Sequence, residues 1–405
     1  MMTKICVIGL GYVGKPLAAL FAKKYRVIGF DNDEEKVRKI KSENPDFLCT
    51  YNDEEISESD FYIIAVPTPV DGNYRPNLQP LISASRTVGK HLKKGNTVIY
   101  ESTVYPGVTE DICVPVLEEE SKMKFNKDFF VGYSPERINP GDEVHTIEKI
   151  KKITSGSTKE AAEKIDNLYN SVLKNGTFKA KDIKTAEAAK IIENCQRDVN
   201  IAFINELAKI FNAAGIDTHD VLEAAATKWN FIKFSPGLVG GHCISVDPYY
   251  LIQKAEIYGV MPMLMLSARQ LNDSMGNYVA NQVIRLMNLK GIKIKDSKIL
   301  ILGFSFKENC PDVRNSKTAD IFNVFKEYTD FIDVYDPVAD KEKAEKDFAI
   351  KVSETLPEEK TFDAIILTVA HDCFKNFDIK KRRKPLSVVY DVKGVLDKSI
   401  IDARL

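Results

Sequence analysis

The feature that most restricts the fold lies at the start of the chain, where a strand-like run is followed by three glycines. The run "KICVIG" ends at Gly9, and Gly9, Gly11 and Gly14 form the spacing G-x-G-x-x-G ahead of a helical pattern at residues 15–24. A second apolar run, "RVIGFD", ends at Asp31. Glycines at this spacing allow a tight turn and let the backbone approach a pyrophosphate at a helix N-terminus. This order of elements predicts dinucleotide binding, and the alternative is a turn that only packs helix on sheet.

The acidic strand end indicates which dinucleotide is bound. Asp31 would accept hydrogen bonds from both hydroxyls of an adenosine ribose and would repel a 2′-phosphate, so NAD is favoured over NADP. Tyr12 and Val13, inside the glycine turn, are further candidate contacts. Lys36 lies five residues after Asp31 and either touches the ribose or faces solvent.

Two sets of apolar runs alternate with helical patterns along the chain. In the first set "FYIIAVPTP" and "TVIYEST" follow, with Thr68 and Thr103 near the strand ends, where ligands bind in such sheets. The second set, "KILILGFSFK", "IDVYDP", "DAIILTVAH" and "SVVYDV", has the same outline without G-x-G-x-x-G. Between them, alanine-rich and proline-free residues 181–214 predict a helix of up to ~30 residues.

These patterns predict an α/β protein with two Rossmann-like, doubly wound parallel sheets, joined by a long central helix and a helical dimerisation region. The predicted domains are a cofactor-binding Rossmann domain at 1–180, a central helical domain at 181–292 and a second Rossmann-like domain at 293–405. We expect a homodimer or a higher homo-oligomer.

Composition excludes several classes of function. The chain has 57 basic and 58 acidic residues mixed throughout. Its overall charge therefore does not favour binding to nucleic acid or to an anionic membrane. The seven cysteines form no CxxC pair and the five histidines do not cluster, so no metal site is predicted. Scattered cysteines fit a reducing compartment, and no stretch approaches ~20 apolar residues, so we expect a cytoplasmic protein.

One cysteine has the surroundings of a nucleophile. Cys243, in "GLVGGHCISVDPYYL", follows two glycines and a histidine and precedes Asp247 by four residues. In "AEAAKIIEN", Lys190 and Asn194 are spaced i and i+4, so they project from one helical face and can converge on an oxyanion. A surface Lys-Asn pair is the alternative.

Charged residues in two loops are further candidates. Glu136 and Arg137 lie in "YSPERINPGD", where a loop salt bridge is the alternative. Lys307 and Arg314 follow the first strand of the second set, a natural place for cations to meet phosphate. Cys310 and Cys373 have no activating neighbours and are interpreted as bystanders.

Seven motifs occur in one characteristic order. The chain contains "GLGYVGKPLA", "VPTPVD", "ESTVYPG", "GYSPERINPGD", "AEAAKIIEN", "PGLVGGHCISVDPYYL" and "GFSFKENCPDVRNSK". In these motifs and over essentially its whole length it resembles the nucleotide-sugar 6-dehydrogenase family, and within it the UDP-N-acetylglucosamine and UDP-N-acetylgalactosamine 6-dehydrogenases of capsule and O-antigen synthesis. UDP-glucose enzymes generally carry a second glutamate four residues after the position of Glu136, where this chain has Pro140.

The resemblance implies an NAD-dependent, four-electron oxidation of a 6-hydroxymethyl group through a thiohemiacetal and a thioester on Cys243. Asp247, with a water held near Thr103, is then the general base, and Glu136 is the base for thioester hydrolysis. Lys190 and Asn194 stabilise developing negative charge. The implied substrate contacts are Glu136, Arg137, Ile138, Lys190, Asn194, Arg197, Phe234, Gly240, Phe306 and Lys307, and the implied further cofactor contacts are Thr68, Thr103 and Arg314.

The residues leave other functions open. UDP-N-acetylmannosamine or UDP-glucose is an alternative substrate. A two-electron dehydrogenase of a smaller hydroxy acid would leave Cys243 structural and the second sheet unexplained. An NAD-binding regulator without activity would have no need of Glu136, Lys190, Asn194 and Cys243.

Overall fold

The computed structural model describes residues 3–137, 146–357 and 359–405 of the chain. These residues form two compact units, Met1–Glu193 with Tyr249–Val260 and Asn194–Pro248 with Met261–Leu405. The three dividing points on the chain fall inside or beside helices. The predicted three-domain division, which was drawn from composition and motifs, stays a prediction.

The first unit is built on an eight-stranded sheet. Its strands are β1 (Lys4–Ile8), β2 (Arg26–Phe30), β3 (Leu48–Thr50), β4 (Phe61–Ile64), β5 (Thr97–Tyr100), β6 (Phe130–Tyr133), β7 (Lys152–Gly156) and β8 (Thr177–Lys179). The order is β3-β2-β1-β4-β5-β6-β7-β8, and only β6 and β7 pair antiparallel. The first six strands therefore have the 3-2-1-4-5-6 order of a dinucleotide-binding sheet.

Helices follow the strands of this sheet. They are α1 (Gly14–Ala22), α2 (Glu34–Ser42), α3 (Gln79–His91), α4 (Val114–Ser121) and α5 (Lys159–Asn170). The central strands are buried along nearly their whole length, as in "FYII" of β4 and "TVIY" of β5, because helices cover both faces of a parallel sheet.

The central region is helical, as the alanine-rich pattern predicted. Helix α6 runs from Ile183 to Ala214, and α7 (Thr218–Ala225), α8 (Asp247–Ile257) and α9 (Met263–Leu289) follow. Asp182 begins α6 by accepting a hydrogen bond from the Thr185 N–H at 2.7 Å, and Gly215, with φ of 71°, follows its end.

The second unit contains a six-stranded, fully parallel sheet. Its elements are β9 (Ile299–Leu302), α10 (Thr318–Lys326), β10 (Ile332–Tyr335), α11 (Lys341–Phe348), β11 (Val352–Ser353), β12 (Phe362–Leu367), α12 (Ile379–Arg382), β13 (Arg383–Asp391) and β14 (Ala403–Arg404). The order β11-β10-β9-β12-β13-β14 repeats the 3-2-1-4-5-6 arrangement. Two Rossmann-like sheets and a long central helix confirm the predicted fold class.

The three N-terminal glycines have different environments. Gly9 has φ of 89°, and a β-carbon there would lie 2.9 Å from the Ala65 carbonyl oxygen. A β-carbon on Gly14 would lie 1.8 Å from the Gly9 carbonyl oxygen, so only glycine lets α1 begin against the turn. A β-carbon on Gly11 would meet no atom within 4 Å. A side chain at position 14 would therefore clash with the backbone of the turn, whereas one at position 11 would point into open space.

We expect Gly14→Ala to lower the free energy of unfolding by about 3 kcal/mol or more, because the added methyl group overlaps a backbone carbonyl that cannot move alone. Gly11→Ala is the matched control, and its effect on stability should stay below about 1 kcal/mol. Denaturant titrations followed by circular dichroism, without added ligand, measure both. Equal stabilities of the two variants would contradict this account of the turn.

Candidate functional site

The predicted ribose-binding carboxylate is anchored to the glycine turn. Asp31, buried at the end of β2, accepts from the Leu10 N–H at 2.8 Å and from the Lys36 ammonium at 2.6 Å through the same oxygen. Its other oxygen accepts from the Asp33 N–H at 3.1 Å. Of the two interpretations of Lys36, the structure places its ammonium at the carboxylate where a ribose is expected. With the open space at Gly11, these groups fit a dinucleotide.

The two candidate threonines lie at the ends of neighbouring strands. The Thr68 hydroxyl donates to the Thr103 carbonyl at 2.8 Å, and the Ser102 hydroxyl donates to the Val66 carbonyl at 2.6 Å. The loops after β4 and β5 are thus tied together at the carboxyl edge of the sheet. Tyr12 is half exposed beside this edge, and Val13 directly precedes α1.

Glu136 and Arg137 follow β6 in the first unit. The Glu136 N–H donates to the Glu101 carbonyl at 3.3 Å, and the Arg137 N–H donates to Glu136 Oε1 at 2.5 Å. The Arg137 guanidinium pairs at 2.7 Å with Glu193, on α6. Arg137 therefore forms an ion pair with Glu193 of α6, whereas the alternative considered from the sequence was a loop salt bridge between Glu136 and Arg137. The predicted contact Ile138, and Pro140, lie outside the described residues.

A buried ion pair supports this loop, and the sequence analysis missed it. The Lys152 ammonium lies 2.6 Å from Glu101 Oε2 and donates to the Pro135 carbonyl at 2.9 Å. Tyr169 donates to the other Glu101 oxygen, and burial raises the pKa of Glu101. Because Lys152 binds the residue directly before Glu136, the pair fixes where the Glu136 backbone lies.

In the second unit, Cys243 and Asp247 share one helical turn. The Cys243 carbonyl accepts from the Val246 N–H at 3.1 Å and from the Asp247 N–H at 2.8 Å, so Cys243 begins the turn that leads into α8. Cys243 is partly exposed, Cys373 is exposed, and the other cysteines are buried. The bystander interpretation of Cys310 agrees with its burial.

The carboxylate of Asp247 is held by side chains of α6. Asp247 Oδ2 accepts from the Asn194 amide, and Asn194 Oδ1 accepts from the Arg197 guanidinium. Asn194 and Asp247 are both buried. The structure thus brings together three predicted residues, with Asn194 orienting Asp247. Lys190, one turn earlier on α6, is also buried.

The two glycines before Cys243 leave space for neighbouring residues of the protein itself. A β-carbon on Gly241, where φ is 84°, would lie 2.8 Å from the Phe306 ring, and one on Gly240 would lie 2.7 Å from the Asn315 carbonyl oxygen. The Gly241 N–H donates to the Arg314 carbonyl at 3.0 Å. The loop after β9, with the candidate Phe306, therefore packs directly on the cysteine loop.

The other candidates of the second unit stay predictions as ligand contacts. The Arg314 guanidinium binds Asp312 and lies 2.9 Å from His242 Nδ1. Phe234 and Lys307 are half buried.

A buried Ser-His-Asp cluster in the second unit is structural. Asp336 accepts from the Phe304 N–H at 2.6 Å and the Ser305 N–H at 3.0 Å, and His371 Nε2 lies 3.1 Å from it. Burial opposes ionisation, but the His371 and backbone hydrogen bonds lower the pKa of Asp336 to about 2. His371 Nδ1 accepts from the Asn309 N–H at 2.8 Å. The cluster therefore fixes the loop that carries Phe306 and Lys307.

Helix α6 carries a buried row of polar side chains. Glu187, Lys190, Asn194, Asp198 and Asn205 follow one another at spacings of three, four, four and seven residues, which is the repeat of one helical face, and all are buried. Sequence reasoning selected only Lys190 and Asn194 of these five. The recurrence of polar residues at helical spacing is the sequence pattern that would have indicated Glu187, Asp198 and Asn205.

Among the described residues, no group of three or more His, Cys, Asp or Glu is arranged to hold a metal ion. None of the helices in those residues is both long and apolar enough to cross a membrane.

Comparison with known proteins covers nearly the whole chain. Family models match in three parts: the NAD binding domain of the UDP-glucose/GDP-mannose dehydrogenase family at residues 3–48 and 46–173, its central domain at 184–274 and its UDP binding domain at 300–398. A UDP-N-acetyl-D-glucosamine 6-dehydrogenase of Pseudomonas aeruginosa is 50% identical over 419 residues, covering 99% of each chain. Its namesake from Salmonella typhi is 50% identical, covering 99% of this chain and 98% of that one. The solved UDP-D-ManNAc dehydrogenase of Pyrococcus horikoshii superposes with a TM-score of 0.90 at 29% identity, covering 99% of this chain and 98% of that one.

Glu187 predicts a pH dependence of stability. Its carboxylate accepts from the Gly107 N–H at 2.6 Å and the Thr109 N–H at 2.9 Å, yet burial raises its pKa to about 7. The folded state therefore holds this proton more tightly than the unfolded state, and the stabilisation present at low pH is lost as pH rises through about 7.

We expect Glu187→Gln to remove about 3 kcal/mol of the decline in unfolding free energy between pH 4.5 and pH 7, because glutamine does not titrate. Denaturant titrations at a series of pH values measure the slope. Glu206→Gln, at an exposed site on the same helix, is the control and should leave the slope unchanged. Parallel curves for the wild type and Glu187→Gln would contradict the raised pKa.

Proposed function

Because the chain belongs to the UDP-glucose/GDP-mannose dehydrogenase family, we propose that it oxidises the 6-hydroxymethyl group of UDP-N-acetyl-D-glucosamine to a carboxylate. The observation that carries the reaction type is the partly exposed Cys243 in one turn with Asp247, whose carboxylate Asn194 orients. The substrate is supported by the names of the two relatives at 50% identity.

The overall reaction balances as one alcohol, one water and two NAD⁺ giving one carboxylate, two NADH and three protons. NAD, when bound, accepts a hydride in each of the two oxidations. Gly9, Gly11 and Asp31 are the residues that would hold it, with Lys36 beside the ribose and Thr68 and Thr103 at the strand ends.

Proton removal from the alcohol is the first task of the protein. An unassisted hydroxyl is too weak an acid to ionise as hydride leaves, so a carboxylate base is required. Asp247 takes this proton, through a water near Thr103. The Asn194 amide has two N–H groups, of which one is used on Asp247, and it stabilises the developing alkoxide together with the Lys190 ammonium.

The thiol then supplies covalent catalysis. The Cys243 thiolate adds to the aldehyde carbon, whose oxygen takes up a proton to give a thiohemiacetal; loss of a second hydride from that carbon and of the hydroxyl proton gives a thioester. Cys243 begins the hydrogen-bonded turn that leads into α8, four residues before the first residue of that helix, Asp247.

Hydrolysis releases the product. Water adds to the thioester carbon with Glu136 as the general base, the carbon–sulfur bond breaks, and the thiol of Cys243 is restored. The Lys152–Glu101 pair behind Pro135 keeps the Glu136 backbone in place. Substrate contacts at Arg137, Arg197, Phe234, Gly240, Phe306 and Lys307 complete the proposal.

The sugar epimer is the main alternative within this function. The solved relative from Pyrococcus horikoshii is named as a dehydrogenase of UDP-D-ManNAc, so the manno epimer is the second candidate. The galacto and manno N-acetyl sugars each differ from the gluco sugar in the orientation of one substituent, and UDP-glucose lacks the acetamido group. All four are therefore compared in one assay.

We expect two NADH per molecule of UDP-N-acetyl-D-glucosamine when the sugar is limiting, measured by absorbance at saturating NAD. Cys243→Ser should abolish formation of the carboxylate while NAD binding persists, because serine gives no thioester. Cys373→Ser, at the exposed cysteine, is the control and should keep full turnover. Unchanged turnover of Cys243→Ser would refute the covalent route, and one NADH per sugar would mean that oxidation ends at the aldehyde.

Self-association is proposed from the opposite face of α6. Ile192, Phe203 and Ile210 are each more than half exposed and recur at spacings of eleven and seven residues, which place them on one helical stripe. Exposed apolar side chains aligned in this way are typical of an interface. We infer a homodimer, or a higher homo-oligomer, in which a second copy covers this stripe.

Phe203→Glu should shift the protein toward monomer, because a carboxylate at the centre of the stripe would lose its hydration on association. Light scattering coupled to size-exclusion chromatography measures the mass. Trp229→Glu, which changes an exposed aromatic residue off α6, is the control and should leave the mass unchanged. A monomeric wild type would remove the proposed interface.

A further inference from the structure

The cysteine loop is attached to α6 by one asparagine. The Asn205 amide donates to the Gly237 carbonyl at 3.0 Å and accepts from the Gly237 N–H at 2.8 Å. The side chain thus pairs with both backbone groups of one residue, as a neighbouring strand would. Gly237 lies six residues before Cys243, in a segment with no helix or strand of its own.

Asn205 is itself fixed by a buried polar chain. Its amide also donates to Asn272 Oδ1 at 2.9 Å, and the Asn272 amide donates to Asp198 Oδ1 at 2.7 Å. Arg269 forms an ion pair with Asp198. These four side chains are all at most 1% exposed, so none of their polar atoms is held by bulk water.

The same chain of contacts reaches the loop on both sides of the thiol. At one end Asn205 holds Gly237, and at the other the Arg269 guanidinium lies 3.4 Å from the Ile244 carbonyl, directly after Cys243. Helices α6 and α9 carry all four side chains, and helices are rigid supports compared with a loop. The anchoring therefore limits how far the backbone around Cys243 moves.

Packing alone gives no reason for this arrangement. A buried amide stabilises a core only when its hydrogen bonds are complete, and an apolar side chain would fill the volume without that requirement. The loop, however, has buried backbone groups at Gly237 that need partners, and an asparagine side chain offers one donor and one acceptor in the peptide geometry.

We propose that Asn205 is a positioning residue that holds the Cys243 loop in its reactive conformation. The consequence for catalysis rests on the proposed function, whereas the anchoring itself does not. Asn205 acts through Gly237 and touches neither the thiol nor a ligand. Its loss should therefore alter the loop and the steps that depend on the thiol, and should spare the cofactor turn of the first unit.

Hydrogen–deuterium exchange tests the anchoring without any need for activity. In Asn205→Ala, exchange across residues 234–245 should accelerate about tenfold or more, because a hydrogen bond to Gly237 is lost and the loop opens locally. Exchange in α9 should stay as in the wild type. Asn200→Ala is the matched control, since Asn200 bonds only to the Gln196 carbonyl of its own helix, and it should leave the loop unchanged. Uniform acceleration in α9 and the loop, or no acceleration, would overturn the proposal.

The wild type provides a second measurement should Asn205→Ala fail to fold. The Gly237 amide should exchange as slowly as amides in the middle of α9, although it lies in a loop, because its N–H is buried and paired with Asn205. Rapid exchange at Gly237 in the wild type would overturn the anchoring directly.

Kinetics test the consequence for the reaction. In Asn205→Ala, kcat for sugar oxidation should fall about tenfold or more, while the Kd of NAD stays unchanged, since misplacement of a reacting group by about 1 Å costs rate on this scale. An unchanged kcat with a loosened loop would overturn the catalytic consequence and leave the anchoring. Absence of NADH formation by the wild type with any UDP-sugar would remove the proposed function, and the exchange result would still decide the role of Asn205.

Discussion

The structure depends on the buried row of polar side chains on α6, which lies among buried apolar residues of the same helix such as Ile191 and Ile204. A buried polar group is costly unless its hydrogen bonds are complete, so each member of the row must find a partner. Glu187 binds two backbone N–H groups, Asn194 binds Asp247, and Asn205 binds Gly237. Within each unit, the members of the row therefore fix the segments that they bind.

The long elements were predictable because each has a strong local signal. The helical period over residues 181–214 and the β-branched runs of both sheets predicted α6 and the central strands. Strands β3, β7 and β8 have three to five residues, and their pairing comes from neighbours far along the chain, so local patterns did not reveal them. At the site, the spacing of Cys243 and Asp247 was visible in sequence. The pairing of Glu101 with Lys152, separated by 51 residues, required the fold.

The two sheets use the same positions differently. Gly9 and Gly303 both have φ near 90° and follow the first strand of their sheet, and Asp31 and Asp336 both follow the second strand. Asp336 accepts hydrogen bonds from backbone and His371 and is fully buried. The second sheet therefore has the strand order of a dinucleotide-binding unit, but the aspartate after its second strand binds protein groups inside the unit. This agrees with the match of this region to a UDP binding domain.

The contact between Asp31 and Leu10 has a consequence for redesign of the cofactor preference. One oxygen of Asp31 accepts both the Leu10 N–H and the Lys36 ammonium. A neutral or basic replacement that admits a 2′-phosphate also removes the acceptor for a buried N–H inside the glycine turn. The carboxylate proposed to select NAD thus also holds the shape of the turn through the same atom, and a variant designed to accept NADP needs a new acceptor for Leu10 before it needs a new cation.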